Sequence, residues 1–470
     1  MLSQGGQMAS LTFLGADRTV TGSKHLITSG DSRILIDCGL YQGLKALRLM
    51  NWEPFPIREN TLSSIIFTHA HIDHTGYLPR AVNNGFSGPV YATLPTCELA
   101  RIMLPDSGRL QEEEARFANK KGISKHKPAL PLYTEEQAES SLRLLTPNEY
   151  DKPCEVAEGV NVIFRNAGHI LGSALVQMTI REVGKSTSVL FTGDLGRIGT
   201  PILQDPAVVD ETDYLVLEST YGDRLHGSTD RKAALGAVVK ESLRNGGVLV
   251  IPAFAVERTQ ELLYILYLLK AEKDIPDAPV YIDSPMAVKV TSLFSRYRDV
   301  YDEEAKELLK SDRHILDSPH VHFCRTVDES KALNRRKGPM IIISASGMAT
   351  GGRVLHHLMH RLPEKNNTVL LVGYQAIGTR GRSLFDGAKK LKIFGENVPV
   401  NARVASLDGF SSHADYSEII TWLEKFRHAP KKVFLVHGEP DAQKSLKEKI
   451  ETKFGWNVHI PAYQDEADLV

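Results

Sequence analysis

Short apolar runs that stop at glycine, histidine or aspartate recur along this chain. Residues 11–14 form one such run; 24–28 and 33–36, with Ser29-Gly30-Asp31 between them, predict a hairpin. The run 64–68 predicts a buried strand. Between 97 and 145 the pattern turns helical and charged, with a loop around 120–131, and predicts a helical insertion on a β scaffold. Its acidic run, Gln111-Glu112-Glu113-Glu114, reads as a solvated helix face. Strands resume at 160–164, 174–180, 188–192 and 214–217. Beyond Gly222, apolar runs at 248–251, 280–282, 340–343 and 368–372 alternate with helical segments such as 257–270 and 286–298. Continuous apolar strands separated by helices predict a parallel sheet covered on both faces. From about Ala405 the chain returns to the character of its first part: a loop with Ser411-Ser412-His413, a helix over 415–427 and a strand over 432–437. One domain is therefore expected to be inserted into another, with segments 1–222, 223–404 and 405–470.

Composition narrows the class. A chain of 470 residues exceeds one ordinary domain. Its apolar share (42%) and charged share (24%) are those of a soluble globular protein. The net charge of −1 means that any surface for nucleic acid must be local. Cys38, Cys97, Cys154 and Cys324 form no C-x-x-C and are expected to be reduced and buried, as in a cytosolic protein. The longest apolar stretch, 262–269, is too short to cross a bilayer. No membrane partner is expected, and a cytoplasmic location is. Residues 1–10 lack the pattern of a signal peptide and read as a polar leader, with Met8 a candidate start.

The sharpest chemical feature is His69-Ala70-His71-Ile72-Asp73-His74, directly after the run 64–68. Neutral imidazole and carboxylate oxygen are ligands for zinc and its neighbours, and a catalytic zinc typically takes three protein ligands and leaves a place for water. Several candidates in one turn suggest two metals, each completed from elsewhere. His169, Asp194 and His437 each sit just beyond an apolar run beside glycine, where a strand end gives a rigid base. Taken singly, each also fits a turn residue or a satisfied polar group.

The pattern H-x-H-x-D-H with a later His, Asp and His resembles the metallo-β-lactamase superfamily, an αββα sandwich with metals at one edge. The resemblance implies that His69, His71 and His169 hold one metal and Asp73, His74 and His437 the other. Asp194 would bridge them, and Asp37 would support the site from behind. It implies two Zn²⁺ per chain, with Mn²⁺ an alternative of overlapping ligand taste. Two cations about 3.5–4 Å apart can share a water and lower its pKa from about 15.7 to near 7, which specifies metal-assisted hydrolysis.

The inserted domain narrows the substrate. Leu217-Glu218-Ser219-Thr220-Tyr221-Gly222, Phe410-Ser411-Ser412-His413-Ala414-Asp415, Phe254-Ala255-Val256-Glu257-Arg258, Asp283-Ser284-Pro285-Met286 and Ser346-Gly347-Met348 are similar to motifs of the β-CASP group. These are nucleases with an inserted α/β cap domain containing a mainly parallel sheet. The nearest pattern is the endonuclease subunit of the mRNA 3′-end processing complex and its stand-alone prokaryotic relatives. His437 matches the RNA-acting members. The resemblance implies a zinc-dependent ribonuclease on single-stranded RNA, endonucleolytic, with Asp73, His413, Glu218 and Asp37 as catalytic residues. A homodimer and a larger processing assembly are compatible with it. A 5′-exoribonuclease, a DNA-directed nuclease of the same group and a non-catalytic RNA-binding subunit are the alternatives.

The residues also speak to a phosphodiester substrate. The departing sugar oxygen benefits from protonation, which His413 can supply, and Glu218 can hold its ring in the useful tautomer. A helix-start role for His413 and an arginine-paired Glu218 remain the plainer readings. Ser344, Ser346 and Gly347 precede a helix and fit a phosphate cradle or a tight turn. Arg380 and Arg382 fit a phosphate contact or a solvated loop. His356, His357 and His360 are expected on a solvated or RNA-facing helix side.

Overall fold

In the computed structural model the chain divides into two compact units: residues 1–199, 205–225 and 413–470, and residues 200–204 and 226–412. The structure describes residues 8–122, 126–182, 184–227, 230–244, 246–312, 314–373, 375–376 and 378–470. Most of the expected leader, residues 1–7, lies outside the described residues.

The first unit contains two seven-stranded sheets. One runs Glu466–Asp468, Ser10–Gly15, Lys24–Ser29, Ser32–Ile36, Ser64–Ile66, Val90–Thr93, Leu145–Asn148. The predicted hairpin pairs His25 with Ile36, and the sheet is parallel from Ser32–Ile36 onward. The other runs Val458–His459, Lys432–Val436, Tyr214–Glu218, Lys185–Phe191, Ala174–Glu182, Val160–Asn166, Pro153–Ala157.

Strand alternation sets the layers. Ile34 and Ile36 join Phe13, Val176, Phe191 and Phe434 in the core between the sheets. Leu35, between them, points the other way, toward Leu78, Ala100 and Leu104. Leu190 likewise turns away from Val189 and Phe191 toward Ile419, Leu423 and Leu446. Each sheet is thus apolar on both faces, and helices must cover the outer ones. Leu78–Asn83, Leu94–Lys121 and Glu135–Ser141 cover one; Tyr416–Leu423 and Pro440–Phe454 cover the other. This is the αββα sandwich that the resemblance implies.

Two expectations are corrected here. The helical stretch after residue 97 is no insertion: Cys97, Ala100 and Leu104 belong to the core of the outer layer. Its helix starts where the Thr93 hydroxyl accepts the Thr96 N–H, with Pro95 in the first turn, and stops at left-handed Gly122. The acidic run is not simply solvated either. Gln111 Oε1 and Glu112 Oε2 accept the Leu132 and Glu135 N–H groups and tie the following segment to the helix.

The second unit is built on a six-stranded, wholly parallel sheet: Val321–Phe323, Val280–Ile282, Met340–Ser344, Val248–Pro252, Thr368–Val372, Arg403–Leu407. Every residue of Met340–Ser344, Val248–Pro252 and Thr368–Val372 is buried, which is why these runs are continuously apolar. Arg403–Leu407 pairs with Thr368–Val372, so the chain rejoins the first unit near residue 413 and not at 405. As a partly exposed edge strand it carries no apolar run to betray it. No described helix is long and apolar enough to cross a membrane.

Candidate metal centre

Every residue expected at the metals lies in the first unit. Asp37, His69, Asp194 and His437 follow the strands Ser32–Ile36, Ser64–Ile66, Lys185–Phe191 and Lys432–Val436, and Glu218 ends Tyr214–Glu218. Ser32–Ile36 runs parallel to Ser64–Ile66, and Lys185–Phe191, Tyr214–Glu218 and Lys432–Val436 run parallel to one another, so within each sheet these carboxyl ends lie at one edge. Asp73 and His74 ride on the single turn Ile72–Thr75. Close backbone approach makes room for them. A Cβ on Gly39 would overlap the Asp73 carbonyl, and one on Gly196 the Gly168 carbonyl beside His169.

Two donor groups share one carboxylate. His69 Nε2 and His169 Nε2 lie 3.0 and 3.3 Å from His71 Nδ1, and 3.3 and 3.4 Å from Asp194 Oδ2. The other oxygen, Oδ1, lies 3.2 Å from His74 Nε2 and 3.4 Å from His437 Nδ1. His437 Nε2 is 3.3 Å from His74 Nε2 and 3.6 Å from Asp73 Oδ2. Ligand atoms on a zinc tetrahedron with bonds of about 2.0–2.1 Å stand roughly 3.3 Å apart, so this spacing suits a metal in each group. Asp194 Oδ1 is buried and accepts no hydrogen bond among the described residues, as expected of an oxygen shaped for a cation. The donor set therefore fits divalent metal.

The charges agree. Burial drives the His69 imidazole pKa down to about 3, reinforced by the neighbouring His74. Burial, with His413 adding to it, puts His169 well below its ordinary value. Neutral rings keep their lone pairs for a metal. His74 goes the other way. Burial opposes its charge, but the Asp194 and Asp37 carboxylates on either side raise it well above the ordinary value. Burial likewise opposes ionisation of Asp73, yet His437 and His74 hold its carboxyl well below the usual range.

Asp37 stands behind His74. Its Oδ2 is 2.7 Å from His74 Nδ1, and its two oxygens accept the Thr68 N–H and hydroxyl at 2.8 and 2.9 Å. Such a bond fixes the ring and its tautomer so that Nε2 faces the metal side. Glu218 plays the matching part for His413, with Oε1 at 3.1 Å from Nδ1. The same oxygen accepts the Leu195 N–H at 2.6 Å, and Leu195 O accepts the Ala414 N–H at 2.8 Å. His413 Nε2 is left 3.9 Å from Asp194 Oδ2. Burial disfavours the His413 cation, but Glu218 and Asp194 overcome this and push its pKa up to about 9.

Threonines complete the arrangement, and sequence reading passed over them. Thr68 Oγ1 lies 3.1 Å from His69 Nδ1 as well as bonding Asp37. Thr220 Oγ1 is 3.0 Å from His437 Nδ1, and Thr192 Oγ1 accepts the Glu218 N–H at 3.1 Å. The available signal was position: Thr68 directly precedes His69, Thr192 stands two residues before Asp194, and Thr220 two after Glu218.

The expected phosphate contacts lie in the second unit, where Ser346 and Gly347 share the loop that follows Met340–Ser344 and Arg380 bonds to it, while Ser344 and Arg382 are engaged elsewhere. Ser344 is corrected: it is buried, and its hydroxyl donates to the Asp283 carbonyl. Ser346 Oγ bonds Thr350 Oγ1 at 2.9 Å on the surface, and Gly347 packs under the Phe254 ring. Arg380 donates to the carbonyls of Lys392, Ala349 and Thr350, and Arg382 grips Asp386. His357 is also corrected. His356 and His360 are exposed, but His357 is fully buried, with Nε2 2.6 Å from Asp283 Oδ2.

Comparison with known proteins gives the same picture. Residues 26–196 match a metallo-beta-lactamase superfamily domain, 259–384 a Beta-Casp domain and 397–461 a Zn-dependent metallo-hydrolase RNA specificity domain. Ribonuclease TTHA0252 of Thermus thermophilus is 36% identical across 91% of this chain and 92% of its own. Transcription termination factor FttA of Methanocaldococcus jannaschii is 30% identical across 98% of this chain and 72% of its own. A crystal structure of a protein of unknown function from Enterococcus faecalis V583 covers 98% of this chain with a TM-score of 0.58. At 13% identity, that likeness shows the fold alone.

Proposed function

The chain belongs to the β-CASP ribonucleases of the metallo-β-lactamase superfamily, and on that premise we propose that it cuts single-stranded RNA internally, with two zinc ions. A metal-dependent ribonuclease is the class; the number and identity of the ions, the strandedness and the internal cut are the finer reading. The observation that carries it is the division of Asp194: Oδ2 toward His69 and His169, Oδ1 toward His74 and His437.

Two divalent cations held there would lower the pKa of a water between them and polarise the phosphoryl oxygens. The side chains do the rest. His69, His71 and His169 would hold one ion, Asp73, His74 and His437 the other, with Asp194 common to both. Asp37 keeps His74 turned toward the metals. His413, on the same side as Asp194, donates a proton to the departing sugar oxygen, and Glu218 stabilises the charged ring before transfer. RNA in preference to DNA is supported by the match of 397–461 to an RNA specificity domain and by the ribonuclease relative. A homodimer belongs to the same reading and is checked by light scattering.

The test is cleavage of internally labelled and 5′-labelled single-stranded RNA, beside matched DNA, by zinc-loaded and chelated protein. Internal RNA fragments that vanish on chelation are expected. Mononucleotides alone would make the protein a 5′-exonuclease. Cleavage of DNA but not RNA would overturn the substrate. Metal analysis reading one ion per chain, or manganese, would overturn the zinc pair.

A further inference from the structure

The parallel sheet of the second unit has a crevice where its connections change direction. After Val248–Pro252 the chain crosses through Arg258–Ala271 to Val280–Ile282, beyond Met340–Ser344 on one side. After Met340–Ser344 it crosses through Val354–Arg361 to Thr368–Val372, beyond Val248–Pro252 on the other. The two central strands are neighbours whose following loops leave in opposite directions, the topology that opens a ligand crevice at the carboxyl edge of an open α/β sheet.

Phe254 and Gly347 sit in those two loops. A Cβ on Gly347 would stand 3.2 Å from two carbons of the Phe254 ring, so the ring lies against the glycine backbone. Even so, Phe254 is 50% exposed, an aromatic ring supported on one side and open on the other. It is also held still. The Phe254 carbonyl accepts the Thr259 hydroxyl at 2.7 Å and the Thr259 N–H at 3.2 Å. The facing loop is pinned by the Ala253 N–H to the Ser344 carbonyl, the Gln375 amide to the Gly347 carbonyl and the Gly381 N–H to the Met348 carbonyl.

The polar surroundings suit an anionic chain. The hydroxyls of half-buried Ser346 and exposed Thr350 belong to the loop on which the ring rests. Arg380 is bound to the loop carbonyls of Ala349 and Thr350 and to the Lys392 carbonyl, with no carboxylate partner among the described residues, so its charge is not neutralised. Burial pushes the Glu257 carboxyl pKa up to about 8, so this acid brings little negative charge at neutral pH.

We propose that Phe254 is a platform on which a base of the RNA stacks, at the carboxyl edge of the second unit's sheet. The proposal rests on the ribonuclease reading and adds a contact remote from the metal ligands in sequence. A rigid, exposed ring beside hydroxyls and an unneutralised cation is how single strands are gripped without reading their sequence.

The experiment is fluorescence anisotropy with metal-free, full-length protein and a labelled ten-nucleotide single-stranded RNA. Phe254→Ala is expected to raise Kd about fivefold or more, the loss that one base–aromatic stack gives. Phe254→Trp is expected to hold or tighten it. On an abasic oligonucleotide the wild type and Phe254→Ala should bind alike. Circular dichroism confirms that the half-exposed site tolerates the changes. Equal Kd for wild type and Phe254→Ala would overturn the platform while leaving the nuclease standing, provided the wild type still binds and cuts RNA. A persistent difference on the abasic strand would also overturn it. So would loss of self-association in Phe254→Ala with RNA affinity intact, which makes the ring a protein contact. A wild type that neither binds nor cuts RNA would remove the ribonuclease reading and the platform together.

Discussion

Glu218 and His413, 195 residues apart in the chain, meet with Oε1 3.1 Å from Nδ1 at the end of a buried strand. The carboxylate is fully buried, and the backbone around Leu195 is bonded both to it and to Ala414. The ring orientation is therefore set by the fold before any substrate arrives.

His413→Ala is expected to lower kcat by about 10²–10⁴, the usual worth of a positioned acid or base. Glu218→Gln should lower it less, on the order of tenfold, with KM unchanged and the pH profile displaced. A KM effect without a kcat effect would make His413 a binding residue.

Asp194 serves both histidine groups, so Asp194→Asn should empty both sites, and His437→Ala only one. Asp37→Asn should cost about 10–100-fold in metal affinity by freeing His74. Metal analysis after dialysis against a weak chelator reads all three. Two ions retained in Asp194→Asn would refute the shared carboxylate.

Glu257 is expected to make the second unit less stable as pH rises. Burial, and then Glu261, raise its folded pKa from 4.5 to about 8, with Arg258 opposing. The folded state holds the proton more tightly than the unfolded one. The stability this gives is complete below pH 4.5 and lost as pH rises through about 8, on the order of a few kcal/mol. Glu257 is also held at φ 68° and ψ −62° in a γ-turn closed by the Arg258 N–H on the Val256 carbonyl. Glu257→Gly should remove both burdens and stabilise by about 1–3 kcal/mol at pH 8. Thermal melts at pH 5, 7 and 9 check this; parallel melting curves for wild type and variant would contradict it.

Asp283 accepts bonds from Arg353, Ser330 and His357 at 2.7, 2.6 and 2.6 Å with no exposure of its own. Asp283→Ala takes the partner from the buried His357 imidazole and the carboxylate from the partly buried Arg353, and should cost about 3–5 kcal/mol in urea unfolding. A loss below about 1 kcal/mol would mean that the network relaxes onto water.

Much of this protein was legible before it was folded. Side-chain period exposed the strands, because a strand buried on both faces must be apolar throughout, as 248–251 and 340–343 are. The run from His69 to His74 announced metal, because no ordinary core or surface calls for that density of imidazole beside a buried strand. Arg403–Leu407 stayed hidden as an edge strand with little apolar content. The stretch after 97 misled because its charges are plain in sequence while its buried stripe is sparse.

What the sequence determined by itself was the inventory: which donors exist, that strand ends carry them, and that an α/β domain interrupts the scaffold. Only the tertiary structure gave the expected pairings their geometry and added those that the sequence did not suggest. That Asp194 divides its oxygens, that Asp37 lies behind His74 and Glu218 behind His413, and that His357 turns inward to Asp283 all depend on contacts between distant segments. Such contacts are set by sheet order and loop approach in three dimensions, and local periodicity carries no record of either.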